Sequence, residues 1–374
     1  MAGKKLLYLE PRQATWLELF FDLIFVVALG KLTHFLVHTH HGHLEGHVWF
    51  SFILTFIPMW WIWVGHMVYS NRFDSDSRPH RVVTLLLMAI IMLCAITLKE
   101  DLAGSYVPFM LAYGTARLII AVLYFSAAGQ YPEKKGFAKS MGLTFTIGAL
   151  ISMSAVFFTF SFAIVIFYLG ILFDIVGRQL IVKHVIPVDR DHLVERVGLL
   201  AIILLGESVI SISYGLSDMN WDTLTTATVI CGFLFICMIW WMYFDSFPLL
   251  IESERDKNGD AILFSQLSTY ISFAVLANMI RHAILGDLAI SDFRIMVMVG
   301  VGTFYFGKQT AYYVNRPEYR GYIILNTLVM FVIAILALFL PKPQYILFGA
   351  AFSKLVYIAM NFRAQRKLYG KVHL

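Results

Sequence analysis

Twelve mostly apolar stretches follow one another along this chain, and few folds can accommodate them. They lie at roughly 15–37, 47–69, 80–99, 105–128, 138–158, 160–183, 192–214, 222–248, 260–284, 292–313, 320–340 and 344–363. Each is close to the ~20 residues a helix needs to cross a bilayer core. Of 374 residues, 59% are hydrophobic and 14% are charged, where a soluble domain carries about 25% charged residues. The mean hydropathy is +0.73. The chain therefore reads as an all-α, polytopic transmembrane helical bundle. The fifth and sixth spans are the hardest to separate. Nothing charged lies between Lys139 and Asp174, a run too long for one span, so "FFTFSF" at 157–162 must hold the turn. The first run is a full span without a small-residue cleavage site and is expected to remain as an anchor. Cys94, Cys231 and Cys237 all fall in apolar runs and read as small core residues; no CxxC spacing is present.

Lysine and arginine positions set the orientation. With the N-terminus inside, 22 of the 29 basic residues fall in cytoplasmic segments, and Lys99, Arg281, Arg294 and Lys342 fall outside. One missed helix would scramble that bias, so both termini are expected in the cytoplasm. Lys31, Arg117 and Lys354 remain inside spans.

Three internal matches recur in the same order. "ELFFDLIFVVALGK" (18–31) aligns without gaps on "ERVGLLAIILLGES" (195–208), "MWWIW" (59–63) on "IWWMY" (239–243), and "QYPEKKG" (130–136) on "NRPEYRG" (315–321). The offsets of 177, 180 and 185 drift slowly, as loops of different length would cause. Residues 1–186 and 187–374 are thus expected to form two six-helix repeats. An even number of spans in each makes the repeats parallel, about an axis normal to the membrane.

The same segments resemble the bacterial low-temperature-requirement A (LtrA) family. The resemblance rests on "ELFFDLIFVVAL" (18–29), "WWIW" followed by "NRFDSDSR" (60–78), "HLVERVGLLAIILLGES" (192–208) and "WWMYFD" (240–245). It is good over about the first 250 residues and rests on hydropathy beyond. Lys31 and Gln266 depart from the family pattern. The resemblance implies a multi-pass protein of the bacterial inner membrane, linked by name to growth in the cold. It implies no particular substrate or chemistry.

Function must therefore be sought in the buried charges. Ionisable groups inside spans cost about 2.5–3.5 kcal/mol each on insertion scales, and they usually face a bundle interior or a wet cavity. At ~1.5 Å per residue, Asp22 lies ~10 Å in from the cytoplasmic end, Lys31 ~24 Å and Glu207 ~22 Å. Arg117 lies ~18 Å down from the outer end. Glu207 and Lys31 share a depth, so an ion pair between them is expected, with Arg117 the other candidate partner. Two readings of Glu207 stay open: a carboxylate that ties helices together, or one that carries a proton or substrate. Gly206 and Ser208 fit either, because small residues permit close approach and a hydroxyl can bond across an interface. Glu207, Asp22, Arg117, Lys31, Glu18 and Ser208 are the transport or ion-coupling candidates. Glu195 and Arg196, with Arg72, Asp74 and Arg81 of the loop "NRFDSDSRPHR" (71–81), are candidates for a cytoplasmic gate. The structural alternative is that Glu18, Asp22, Glu195 and Arg196 pair with Arg81, Arg178 or each other, and that the loop is a solvated turn with a positive-inside flank. Asp174 and Asp245 are expected to cap or snorkel, and His66 to be a hydrogen-bonded core histidine.

The stretch "HFLVHTHHGHLEGH" (34–47) holds six of the twelve histidines. Imidazoles can bind zinc or copper, which makes His38, His40, His41 and His43 weak metal candidates. Their spacing matches no closed site, and a solvated outer loop or a pH-responsive lid are the competing readings.

A secondary transporter is the leading functional expectation, with the bilayer and a small solute or ion as partners. No nucleic-acid-binding role and no cofactor are expected. A channel or oligomeric pore is the alternative; it would need a polar stripe or a carbonyl filter, and the sequence shows no ring-like repeated acidic position and no filter sequence. An intramembrane lipid-acting enzyme is the third reading, although no HExxH or GxSxG motif occurs.

Overall fold

Thr15 starts the first helix with a capping box. Its Oγ1 accepts from the Glu18 backbone N–H at 3.3 Å, while the Glu18 carboxylate accepts from the Thr15 N–H at 2.7 Å. The same carboxylate lies 3.0 Å from the Arg196 guanidinium. The computed structural model describes residues 13–73, 77–181, 186–214, 216, 221–253 and 255–369. Helices follow in the order α1 (Trp16–Thr33), α2 (Gly46–Arg72), α3 (Arg78–Thr97), α4 (Tyr106–Gln130), α5 (Lys135–Ser154) and α6 (Phe160–Ile181). Then come α7 (Arg190–Tyr214), α8 (Thr223–Phe244), the short α9 (Phe247–Ile251), α10 (Asp260–Leu285), α11 (Ile290–Asn315), α12 (Arg320–Ala337) and α13 (Pro343–Tyr369). Among the described residues there is no β-strand, and eleven helical segments are long and apolar enough to cross a membrane. The remaining long helix, α7, carries Arg190, Asp191, Glu195, Arg196 and Glu207. The turn between α5 and α6 falls at Phe158 and Thr159, inside the "FFTFSF" run. The eighth span, Thr223–Ile251, agrees with the expected run but is interrupted: α8 stops at Phe244, and Pro248 helps to begin a separate short helix.

Helices α2 and α10 form the centre. Buried residues make up 72% and 83% of their span windows, against 28% for α12 at the periphery. The Trp63 ring of α2 meets Tyr270 of α10 edge-on, with centroids 6.2 Å apart. Pro58, inside α2, cannot donate to the Leu54 carbonyl one turn back. The Tyr168 hydroxyl of α6 donates to that carbonyl instead, at 2.9 Å. Helix α1 packs on α3 and on α7, and α7 packs on α10. Helices α4, α5 and α6 pack in succession, as do α11, α12 and α13. Between α5 and α6, Gly148 faces Gly170, and a side chain at either position would collide with the opposite backbone.

Candidate functional site

Two helices each present a pair of polar residues four positions apart, so each pair shares one face. Helix α1 offers Glu18 and Asp22, and α7 offers His192 and Arg196. All four are buried, near the N-terminal ends of their helices. The Arg196 guanidinium grips Asp22 with two bonds, Nε to Oδ2 at 2.9 Å and a terminal nitrogen to Oδ1 at 2.7 Å. A planar fork on a carboxylate is the strongest geometry available to such a pair. Its other terminal nitrogen lies 3.0 Å from Glu18 Oε1 and donates to the Ser70 hydroxyl at 3.3 Å. Trp63 Nε1–H donates to Asp22 at 2.7 Å.

The tautomer of His192 follows from its neighbours. Asn71 Oδ1 accepts from the Asp189 N–H at 2.9 Å, which fixes the amide so that its NH2 faces His192 Nδ1 at 3.1 Å. Nδ1 is then the acceptor and Nε2 carries the hydrogen. Nε2 lies 3.3 Å from one Glu18 oxygen and 3.4 Å from the other. The cluster thus gathers two carboxylates, one guanidinium and one imidazole in a buried space. His66, one turn from Trp63 and Ser70, stacks on Phe21 with ring centroids 3.9 Å apart. It is buried as expected, but neither ring nitrogen has a hydrogen-bond partner among the described residues, contrary to the sequence expectation.

A rim of polar contacts surrounds this cluster. Glu195 accepts from the Ala14 N–H at 3.1 Å, Arg72 Nε donates to the Ile186 carbonyl at 2.8 Å, and Arg178 pairs with Asp260. Arg81 sits in the first turn of α3, its N–H bonded to the Ser77 carbonyl at 3.0 Å. Asp74 lies outside the described residues.

The outer end is also tied down. The Ala289 N–H donates to the Gly42 carbonyl at 2.7 Å, and Asp292 accepts from the Leu44 N–H at 2.9 Å and lies 3.1 Å from His43 Nδ1. Burial works against the Asp287 carboxylate, but the bond and charge of His282, with Arg281, hold it below the ordinary carboxylate value. Exposed His40 and His43 close a tight turn by two mutual backbone bonds of 2.9 and 3.0 Å, with His41 and Gly42 at positive φ. That turn spreads the imidazoles. His38, His40, His41 and His43 do not converge, and the described residues hold no group of three metal-ligand side chains.

The ion pairs expected for Glu207 are not formed. Arg117 instead donates to Asp174 on α6 and, at 3.0 Å, to the Trp61 carbonyl, with its guanidinium 4.2 Å from the Phe145 ring centroid. Asp174, expected to cap or snorkel, is 1% exposed and is the partner of Arg117. Glycines 148 and 170 are the reason: their bare backbones let α6 close on α5 and bring Asp174 inward. Glu207 is half-buried, its Oε1 against the Cα side of Gly30, where any Cβ would stand only 3.2 Å away. Lys31 is exposed in the last turn of α1 and has no carboxylate partner among the described residues. Shared depth did not give a shared face. Ser208 donates to Leu204 of its own helix at 2.9 Å rather than across an interface.

Sequence reasoning found Glu18, Asp22 and Arg196 but missed His192, Asn71 and Trp63. The four-residue spacing of His192 and Arg196 was the available signal. Comparison with known proteins adds a family. The family model described as bacterial low temperature requirement A protein (LtrA) matches residues 13–360. An uncharacterized protein of Rhizobium meliloti (strain 1021) is 24% identical over 301 residues, covering 75% of this chain and 71% of that relative. No solved structure matches.

Proposed function

The chain belongs to the bacterial low temperature requirement A (LtrA) family of multi-pass membrane proteins, and from that premise we propose that it is a proton-coupled secondary transporter of a small solute or ion. Its inner gate is the cluster of Glu18, Asp22, His192 and Arg196. The observation that carries this reading is where the bonds run. Every ion pair in the cluster joins α1 to α7, so the cluster ties residues 1–186 to residues 187–374. The rim pair Arg178–Asp260 crosses the same way. At the outer end the Gly42–Ala289 and His43–Asp292 contacts cross it again. A transporter that exposes its site alternately must break one such set at a time. In the proposed cycle, protonation of the cluster weakens the hold of Arg196 on α1 and lets the inner end part. The parallel packing of α1 on α3 and of α7 on α10 supports two related halves that rock against each other.

Glu18→Gln is the informative variant, because Asp22 still neutralises Arg196. Proteoliposomes would be offered a panel of small solutes under pH gradients of either sign. Wild-type protein is expected to accumulate at least one solute when the gradient is imposed. The variant is expected to exchange that solute without accumulation. Wild-type flux that ignores the gradient, or that appears as single-channel current, would remove the transporter reading in favour of a pore.

Both termini are placed in the cytoplasm by this reading. In a background lacking the three native cysteines, Glu45→Cys is expected to react with an impermeant thiol reagent from outside intact cells. Glu133→Cys is expected to react only after lysis. Labelling of both from outside would overturn the orientation.

A further inference from the structure

We propose that the outer end of the first helix carries a binding site for a small oxyanion, a phosphate or carboxylate group. A cavity of about 250 Å³ opens there. Its floor is apolar, made by Phe35 and Leu98, both almost fully buried. Its walls carry Lys31 and His34 on one side and Lys99 and Glu100 on the other, with His38 between them.

The charge balance is what singles this cavity out. The nearby Arg281 already has a partner, Asp287 at 3.4 Å, and Glu100, the acid of the cavity itself, lies 4.0 Å from His38 Nε2. The ammonium groups of Lys31 and Lys99 have neither a carboxylate nor a hydrogen-bond acceptor among the described residues. Both line the same concavity.

A lysine in the last turn of a helix often serves the unpaired carbonyls there. That duty is taken here by α10. Asn278 donates to the Thr33 carbonyl at 3.1 Å, His282 lies 2.8 Å from the Leu36 carbonyl, and Arg281 reaches the Val37 carbonyl at 3.4 Å. Thr33 covers the Gly30 carbonyl at 2.7 Å. At the end of α3, Thr97 does the same for Cys94 at 2.8 Å. The two ammonium groups are therefore free for a ligand. The imidazoles of His34 and His38 stand beside them as further donors. Glu100 lines the same cavity, and Glu207 lies close enough to act electrostatically on His34. With these carboxylates present, the site has room for one compact anionic group and repels a polyanion. About eight water molecules would fill it, at ~30 Å³ each, so its occupant is an inorganic ion, a small carboxylate or a lipid headgroup phosphate.

The proposal stands apart from the transport cycle and is tested by binding, without flux. Purified protein in nanodiscs of phosphatidylcholine would be titrated with inorganic phosphate against chloride at matched ionic strength, with thermal unfolding as readout. A saturable rise in Tm is expected, with Kd on the order of 1 mM. Lys31→Gln with Lys99→Gln is expected to weaken it about tenfold or more. Both lysines are exposed, so the double variant should match wild-type Tm without phosphate. A second set of nanodiscs would contain phosphatidylglycerol. If that lipid abolishes the phosphate response of wild type, a headgroup fills the site; if the response persists, a free anion does. Either result supports the oxyanion site. An equal phosphate response in the double variant, or no saturable response in wild type, would overturn it.

Discussion

Arg196→Met is expected to be among the most damaging single substitutions in the protein. It leaves Asp22 and Glu18 buried with no cation, and breaking a buried pair from one side costs about 3–5 kcal/mol. Asp22 keeps only the Trp63 N–H, and Glu18 keeps His192 and the Thr15 N–H. The expected result is a loss of monodisperse protein in detergent, or a sharply lowered Tm. The cause can be separated from lost packing by a triple variant. Asp22→Asn and Glu18→Gln remove the uncompensated charges, and when combined with Arg196→Met they should restore most of the stability. The rescued protein should fold and should not couple flux to pH. If Arg196→Met alone unfolds at the wild-type temperature, the cluster holds nothing together, and the inner gate loses its physical basis.

The sequence reached the spans because hydropathy acts over twenty residues and tolerates errors at each end. It located the α5–α6 turn, since an uncharged run of that length leaves only one break. It also located Glu18, Asp22 and Arg196, because charges in spans are costly and therefore rare. It could not say which charges meet. Lys31 and Glu207 lie at similar depths, but depth fixes one coordinate only. The missing coordinate is rotation about each helix, and small residues decide it. Gly30 admits the Glu207 side chain to the face of α1, while Lys31, the next residue, points elsewhere. Gly148 and Gly170 draw Asp174 inward to Arg117. A glycine reads in sequence as an absence of preference, although in a packed bundle it selects the partner.

Lys354→Met is expected to act in the opposite direction and stabilise the protein. Lys354 is 0% exposed in α13, and its Nζ has no hydrogen-bond partner among the described residues. Its surroundings are aromatic: Nζ lies 4.0 Å from the Tyr305 ring centroid, 5.1 Å from Phe304 and 5.8 Å from Phe235. Cation–π contacts of this kind return about 0.5–2 kcal/mol each, and only the nearest ring is well placed. The insertion cost of a lysine at mid-span is about 2.5–3.5 kcal/mol, before any loss from the missing hydrogen bonds. Methionine has nearly the same length and flexibility, no charge, and a sulfur that packs well on rings. The balance favours methionine by about 1–3 kcal/mol, a rise of a few degrees in Tm. Lys354→Gln is the control. It removes the charge but leaves an amide without partners, so it should fall below the methionine variant by about 1–3 kcal/mol. A methionine variant that melts lower than wild type would mean that the Lys354 ammonium is satisfied inside the bundle, and that the aromatic ring of residues around it is a site rather than a strain.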